Sequence, residues 1–350
     1  MGITTAVVMV LLVVMAVRLA QTSHPAPAHR VARRPPSAPA TYTNPVIATD
    51  FPDPTIAYTG TDYVAISTGS HAVNLPVEKS SDLADWRPVG DALPVVPTWA
   101  VASWSHVWAP DLERVGNTWV LWFAALDTAS DHQCIGWATA GSASGPFRSV
   151  QAVPSVCQTG LGGSIDPSVF VGTEGKRWLL WKNDGNCCGQ ESRIWSEPLA
   201  SDGTSLEGTP TPILSYSGGW ETGTGSSSST VEKPAMVQEQ GVYHLFFSGN
   251  GYATSSYAVG HAVCTSPAGP CQATSAFPVL SSLGSVAGPG GASIFRDRDG
   301  GLWIAYAAWT LPEIGYPSGG ARSLRIDRLY LAGDLAVVVG PTTAPVPLPG

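Results

Sequence analysis

"NTWVLWFAA", residues 117–125, sets apolar and aromatic side chains side by side, with none of the alternation of a strand that has one face in water. Such a run reads as a strand buried on both faces. It is not alone. "DYVAIST" starts at Asp62, "KRWLLWKN" at Lys176, "GVYHLFFSG" at Gly241 and "GLWIAYAAW" at Gly301. The steps between starts are 55, 59, 65 and 60 residues. Five copies of one strand pattern at a period near 60 predict a radial repeat. Each period holds a four-stranded blade of about 40 to 50 residues plus loops. The expected fold is all-β, a five-bladed β-propeller. A β-sandwich would place short strands every 8 to 12 residues, roughly, without the long period.

Composition agrees. The chain has 350 residues, of which 13% are charged, with 38 Gly, 30 Pro, 13 Trp and 10 Tyr. That suits many short strands joined by turns, and helical patterns are nearly absent. The formal charge of −8 argues against nucleic acid, whose phosphates require a basic surface. Abundant aromatics with few charges suit a carbohydrate partner.

The ends read differently. Residues 6–17, "AVVMVLLVVMAV", match the apolar part of a secretion signal and are short for a membrane span. The expected layout is a signal peptide over 1–28, a Pro-rich linker over 29–41, the propeller over 42–335 and a Pro-rich tail over 336–350. The protein is therefore expected outside the cell, as a monomer with no stable membrane insertion. An uncleaved N-terminal anchor is the alternative. Six cysteines fit an oxidising compartment. Cys264 with Cys271, and Cys134 with Cys157, are the expected pairs. The adjacent Cys187 and Cys188 pair with each other or elsewhere.

Upstream of the first four runs an acid stands beside a proline: Asp53 in "FPDPT", Asp111 in "WAPDL", Asp166 in "SIDPS" and Glu232 in "VEKPA". The fifth repeat has "GPGGASIF" there and no acid. In a propeller the first strand of each blade lines the central channel, so these residues converge from different blades. Carboxyls brought together raise one another's pKa, which suits a division into one acid and one base. Asp111 reads as structural or as a support to the site, binding backbone or a water on the substrate side.

With these stretches in hand, the chain resembles glycoside hydrolase family 43, in the clan shared with family 62. The matching segments are "NPVIATDFPDPTI", "HVWAPDLERVGNTWVLWFAA", "GSIDPSVFVGTEGKRWLLW", "VEKPAMVQEQGVYHLFFSGNGY" and "GPGGASIFRDRDGGLWIAY", in order from residue 44 to 309. The resemblance implies a five-bladed propeller and inverting hydrolysis of arabinose- or xylose-containing glycans. It assigns Asp53 as general base, Glu232 as general acid, and Asp166 as the group that tunes and orients the acid. In "GGARSLRIDRL" it points to Arg322 as the residue that reaches the sugar or the catalytic acids. Trp108, His106, His71 and Trp104 are candidates for substrate contact, with packing or plain loop positions as their other reading.

One departure is visible. Many members carry a His in "GPGHxS" that helps bind an ion or water on the channel axis, and here that position is Gly291. No metal or cofactor is expected, and a calcium ion would lack that ligand. The expected activity is cleavage of α-L-arabinofuranosyl linkages in arabinan or arabinoxylan. The alternatives are a β-xylosidase of the same family and a sugar-binding propeller without catalysis.

Overall fold

The computed structural model describes residues 41–223 and 229–348. The expected signal peptide and nearly all of the linker lie outside the described residues. Five antiparallel sheets form five blades. Blade 1 runs Thr55–Tyr58, Tyr63–Ile66, Pro76–Ser80 and Arg87–Asp91. Blade 2 has three strands, Val107–Val115, Thr118–Leu126 and Gln133–Ala140, with a bridge from Thr139 to Arg148 on its outer edge. Blade 3 is Ser164–Val171, Arg177–Asn183, Arg193–Leu199 and Thr211–Ser215. Blade 4 is Val231–Glu239, Val242–Gly249, Ala258–Cys264 and Cys271–Ala273. Blade 5 is Val286–Arg296, Leu302–Thr310, Ser323–Ala332 and Leu335–Val338. The only helices among the described residues are single 3₁₀ turns.

Each aromatic-rich run is the second strand of its blade, and the packing explains its composition. The pleat sends alternate residues to opposite faces, and each face meets a neighbouring blade. In blade 2, Leu121, Phe123 and Ala125 pack toward blade 1 with Val64, Ile66 and Val77. Val120, Trp122 and Ala124 pack toward blade 3 with Leu179 and Trp181. Leu180 of blade 3 meets Leu245 and Phe247 of blade 4. Phe246 of blade 4 meets Ile304, Tyr306 and Ala308 of blade 5. Trp303 and Ala305 close the ring on Tyr63 and Ala65 of blade 1. A polar residue on either face needs a buried partner, so the runs are apolar almost throughout, with Lys182, Asn183 and His244 among the buried exceptions.

Closure uses both ends of the described chain. The Asn44 amide donates to the Ile326 carbonyl at 2.8 Å, and its oxygen accepts the Ile326 N–H at 3.0 Å. Ile47 bridges Leu324. Thr41–Tyr42 pairs with Val346–Pro347. The folded ring thus continues past residue 335, through the outer strand of blade 5 to this terminal pair. The three disulfides are Cys134–Cys157, Cys187–Cys188 and Cys264–Cys271, and among the described residues no cysteine is free.

Blade 4 buries a histidine pair. His244 and His261 are 1% and 3% exposed, and His244 Nδ1 lies 2.9 Å from His261 Nε2. Burial, then the neighbouring His244, pushes His261 down to about 4. Burial also lowers His244, against the opposing charges of Asp334 and Glu239. A depressed histidine is neutral when folded, while the unfolded chain takes up a proton below about pH 6.5. Stability is therefore full above that pH and falls as pH drops toward about 4. For His261 the loss is at most about 3 kcal/mol. Thermal melts at pH 7.5 and 4.5 check this, and a His261→Gln variant should show a shallower acid loss. An equal loss in both proteins contradicts it.

Candidate active site

The first strands share a local device. In every blade a residue with positive φ precedes a proline: Asp53 at 51°, Ala109 at 48°, Asp166 at 58°, Lys233 at 48° and Gly288 at 58°. Left-handed backbone costs a non-glycine residue about 1 to 3 kcal/mol and persists where surrounding structure enforces it. In four blades the ladder also shifts register here, between Trp108 and Asp111, between Ile165 and Ser168, between Glu232 and Ala235, and between Ala287 and Gly290. The acids take different places around this point. Asp53 and Asp166 are the left-handed residues themselves. Glu232 precedes one, and Asp111 follows the proline.

Those offsets separate their roles. Asp111 accepts the Val169 N–H of blade 3 at 2.7 Å and the Thr55 hydroxyl of blade 1 at 3.3 Å. It binds backbone, as expected, and ties three blades together. Asp53 accepts from Arg322 Nη2 at 2.9 Å on Oδ1, and from the Thr68 hydroxyl at 2.9 Å on Oδ2. Its side chain keeps 18% exposure, against 6% for Arg322. Burial alone would raise Asp53, but the Arg322 guanidinium and its hydrogen bond outweigh it, with help from Lys233 and Thr68. Asp53 is therefore held below the ordinary aspartate range and ionised.

Glu232 sits in the opposite setting. Lys182 Nζ lies 2.9 Å from Oε2, and the Tyr257 hydroxyl donates to Oε1 at 2.7 Å. Lys182 is fully buried and also lies 3.5 Å from Asp184. Asp166 accepts the Lys233 N–H at 2.9 Å, on the residue directly after Glu232. Burial and then the Glu232 charge push Asp166 up to about 7, with Lys182 pulling the other way. One carboxyl, Asp53, is thus kept charged, while Asp166 holds its proton up to near neutrality.

Arg322 joins the two halves. Its guanidinium carbon lies 5.2 Å from the Tyr252 ring centre and 5.9 Å from that of Tyr257. Its backbone N–H donates to Asp50 Oδ1 at 2.8 Å. The exposed His71 is near enough for its charge to bear on Asp50. Trp104 is 40% exposed, on the short turn Trp104–His106. Trp108 follows it, half-buried, and its indole N–H donates to the Ser105 carbonyl at 2.7 Å. The turn adjoins Thr68, because Gly69 N–H donates to the Val107 carbonyl and Ala109 N–H to the Thr68 hydroxyl. His106 lies on this turn, half-buried, with its carbonyl taking the Gln133 amide at 3.4 Å. Neither Trp104, His106, Trp108 nor His71 has a hydrogen bond to the three central carboxyls.

Lys182, Tyr257 and Thr68 also build the site without having been singled out in the sequence. Lys182 left a trace. A lysine inside the apolar run "RWLLWKN" must bury its charge or find an anion. Tyr257 and Thr68 left none, being ordinary loop residues until the ring places them.

Gly291 was read as the place of a missing ligand, and the geometry adds a reason. Its φ is 62°, and a Cβ there would stand 2.4 Å from Asp53 Oδ1 and 2.9 Å from Arg322 Nη2. The Asp53–Arg322 pair fills the space a side chain would need. A histidine cannot enter from this position without displacing the pair, so the residues present do not fit an ion held that way.

Residues 42–334 match the family described as glycosyl hydrolases family 43. The chain is 27% identical over 279 residues to arabinan endo-1,5-alpha-L-arabinosidase C of Emericella nidulans, covering 73% of this chain and 81% of that protein. It is 27% identical over 206 residues to beta-D-galactofuranosidase xynD of Aspergillus niger, covering 57% of this chain and 53% of that relative. Among solved structures, a thermostable family-43 glycoside hydrolase aligns with a TM-score of 0.77 at 28% identity, over 89% of this chain and 99% of that one. With the five-bladed ring and its ordered acids, this match makes the chain a member of glycosyl hydrolases family 43, a glycoside hydrolase.

Proposed function

We propose that the protein is a secreted, inverting glycosidase that cleaves α-L-arabinofuranosyl linkages in arabinan or arabinoxylan. Asp53 is the general base, Glu232 the general acid, and Asp166 the residue that orients Glu232 and sets its proton. The observation that carries this reading is the contrast between the two sides of the site. Asp53 is fixed and ionised by Arg322 and Thr68, while Glu232 and Asp166 lie together against one buried lysine.

Inversion needs a carboxylate to activate water on one face of the sugar and an acid to protonate the leaving oxygen on the other, about 6.5 to 9.5 Å apart. Asp53 takes a proton from water as that oxygen bonds to the anomeric carbon. The glycosidic bond breaks, and the Glu232 proton passes to the departing oxygen. Arg322 keeps Asp53 oriented, and Lys182 with Tyr257 fixes both oxygens of Glu232. The remaining exposure of Asp53 leaves an approach for the water.

Arabinose over xylose rests on the similarity to the arabinan-cleaving relative, which extends over most of both chains. Secretion rests on the apolar run at 6–17 and on three disulfides, which persist in oxidising compartments. The test is a product profile on linear arabinan, branched arabinan, arabinoxylan and unsubstituted xylan. Arabinose or arabino-oligosaccharides are the expected products. Xylose from unsubstituted xylan, with none of the arabinose products, contradicts the assignment.

A further inference from the structure

Beside the carboxyls lies a cluster that the reaction scheme leaves unused. Tyr252 and Tyr316 are 47% and 46% exposed on loops of blades 4 and 5. Exposed aromatics gathered in one place, unlike ones scattered singly, mark a binding surface. These two are held rather than loose. Buried Trp309 donates its indole N–H to the Tyr252 carbonyl at 2.8 Å and packs edge-on against Tyr316 at 5.1 Å. Between them and Asp53 stands Arg322, with Tyr252 over its guanidinium.

Asp50 completes the cluster. One of its oxygens accepts the Arg322 N–H at 2.8 Å and the other the Tyr316 hydroxyl at 3.4 Å. A carboxylate offers about four lone-pair positions, so about two are left, and Asp50 is only half-buried. A fixed, part-exposed acceptor beside two exposed aromatic rings suits a sugar. Its hydroxyls can donate to the carboxylate while its C–H face packs on a ring.

We propose that Asp50, Tyr252 and Tyr316 form a second sugar subsite, holding the unit of a glycan chain next to the one at the reaction centre. The inference rests on the glycosidase reading, and it adds that the enzyme grips more than one sugar. The rigid Trp309 support keeps the ordering cost of this grip low.

The test titrates Glu232→Gln protein with arabino-oligosaccharides and xylo-oligosaccharides of one to four units, alone and combined with Tyr316→Ala or Asp50→Asn. The expected result, in one of the two series, is at least ten-fold tighter binding from one unit to three, with most of that gain lost in either double variant. Equal affinity for short and long chains overturns the subsite. So does a length gain that both double variants retain. Turnover of nitrophenyl glycosides and polymers by the wild-type protein reports separately on the hydrolase reading. Length-dependent binding without turnover would sink that reading and keep the subsite.

Discussion

Replacing Asp53 by asparagine is expected to lower kcat by about a thousand-fold, since removing a general acid or base typically costs 10² to 10⁴. The amide keeps the shape but accepts no proton from water. Glu232→Gln should lose as much on natural linkages and less on aryl glycosides, whose leaving groups need little protonation. That difference by leaving group distinguishes the acid from the base. Asp53→Asn also strands the Arg322 guanidinium, which is nearly buried. Breaking a buried pair on one side costs about 3 to 5 kcal/mol, so this variant should melt earlier while still folding. Rates within ten-fold of wild type in both variants would remove these residues from the chemistry.

The second large effect concerns pH. Activity should hold well into the acid range, because Arg322 keeps Asp53 ionised below the ordinary aspartate value. It should fall on the alkaline side near pH 7, where the proton around Asp166 is lost. Lys182 lowers that value by its charge. Lys182→Met should therefore move the alkaline limb upward, while cutting kcat and destabilising the fold by leaving Glu232 without its cation. A profile of kcat/KM against pH for both proteins measures this. An alkaline limb that stays in place in the variant would show that Lys182 does not act on the titrating pair.

The ring was legible because its cause is written in every period. Burying both faces of five second strands demands five mostly apolar runs, and packing between neighbouring blades keeps each one so. Asp53 and Asp166 were legible as acids beside prolines, and Glu232 as an acid two residues before one. The shared left-handed residue was not, since it is an aspartate in two blades, an alanine, a lysine and a glycine in the others. What unites those residues is the backbone, and side-chain type only hints at it. Arg322 was found through its segment, but its grip on Asp53 depends on ring closure, which brings residues 269 apart into contact. Lys182 was hidden by its setting. The same run that identified the strand concealed the one cation that pairs with Glu232. Trp104, His106 and Trp108 were read as site candidates from their neighbourhood, and the structure places their turn beside Thr68 without joining them to the acids.

The central claim is that Asp53 activates a water against the bond whose oxygen Glu232 protonates. Proton NMR of the first product released from an α-L-arabinofuranoside, before mutarotation, tests it most directly. The account predicts the β-anomer as the initial product, with the α-anomer growing in only later. An initial α-anomer would mean retention through a covalent intermediate and would contradict the assignment of Asp53 as a base.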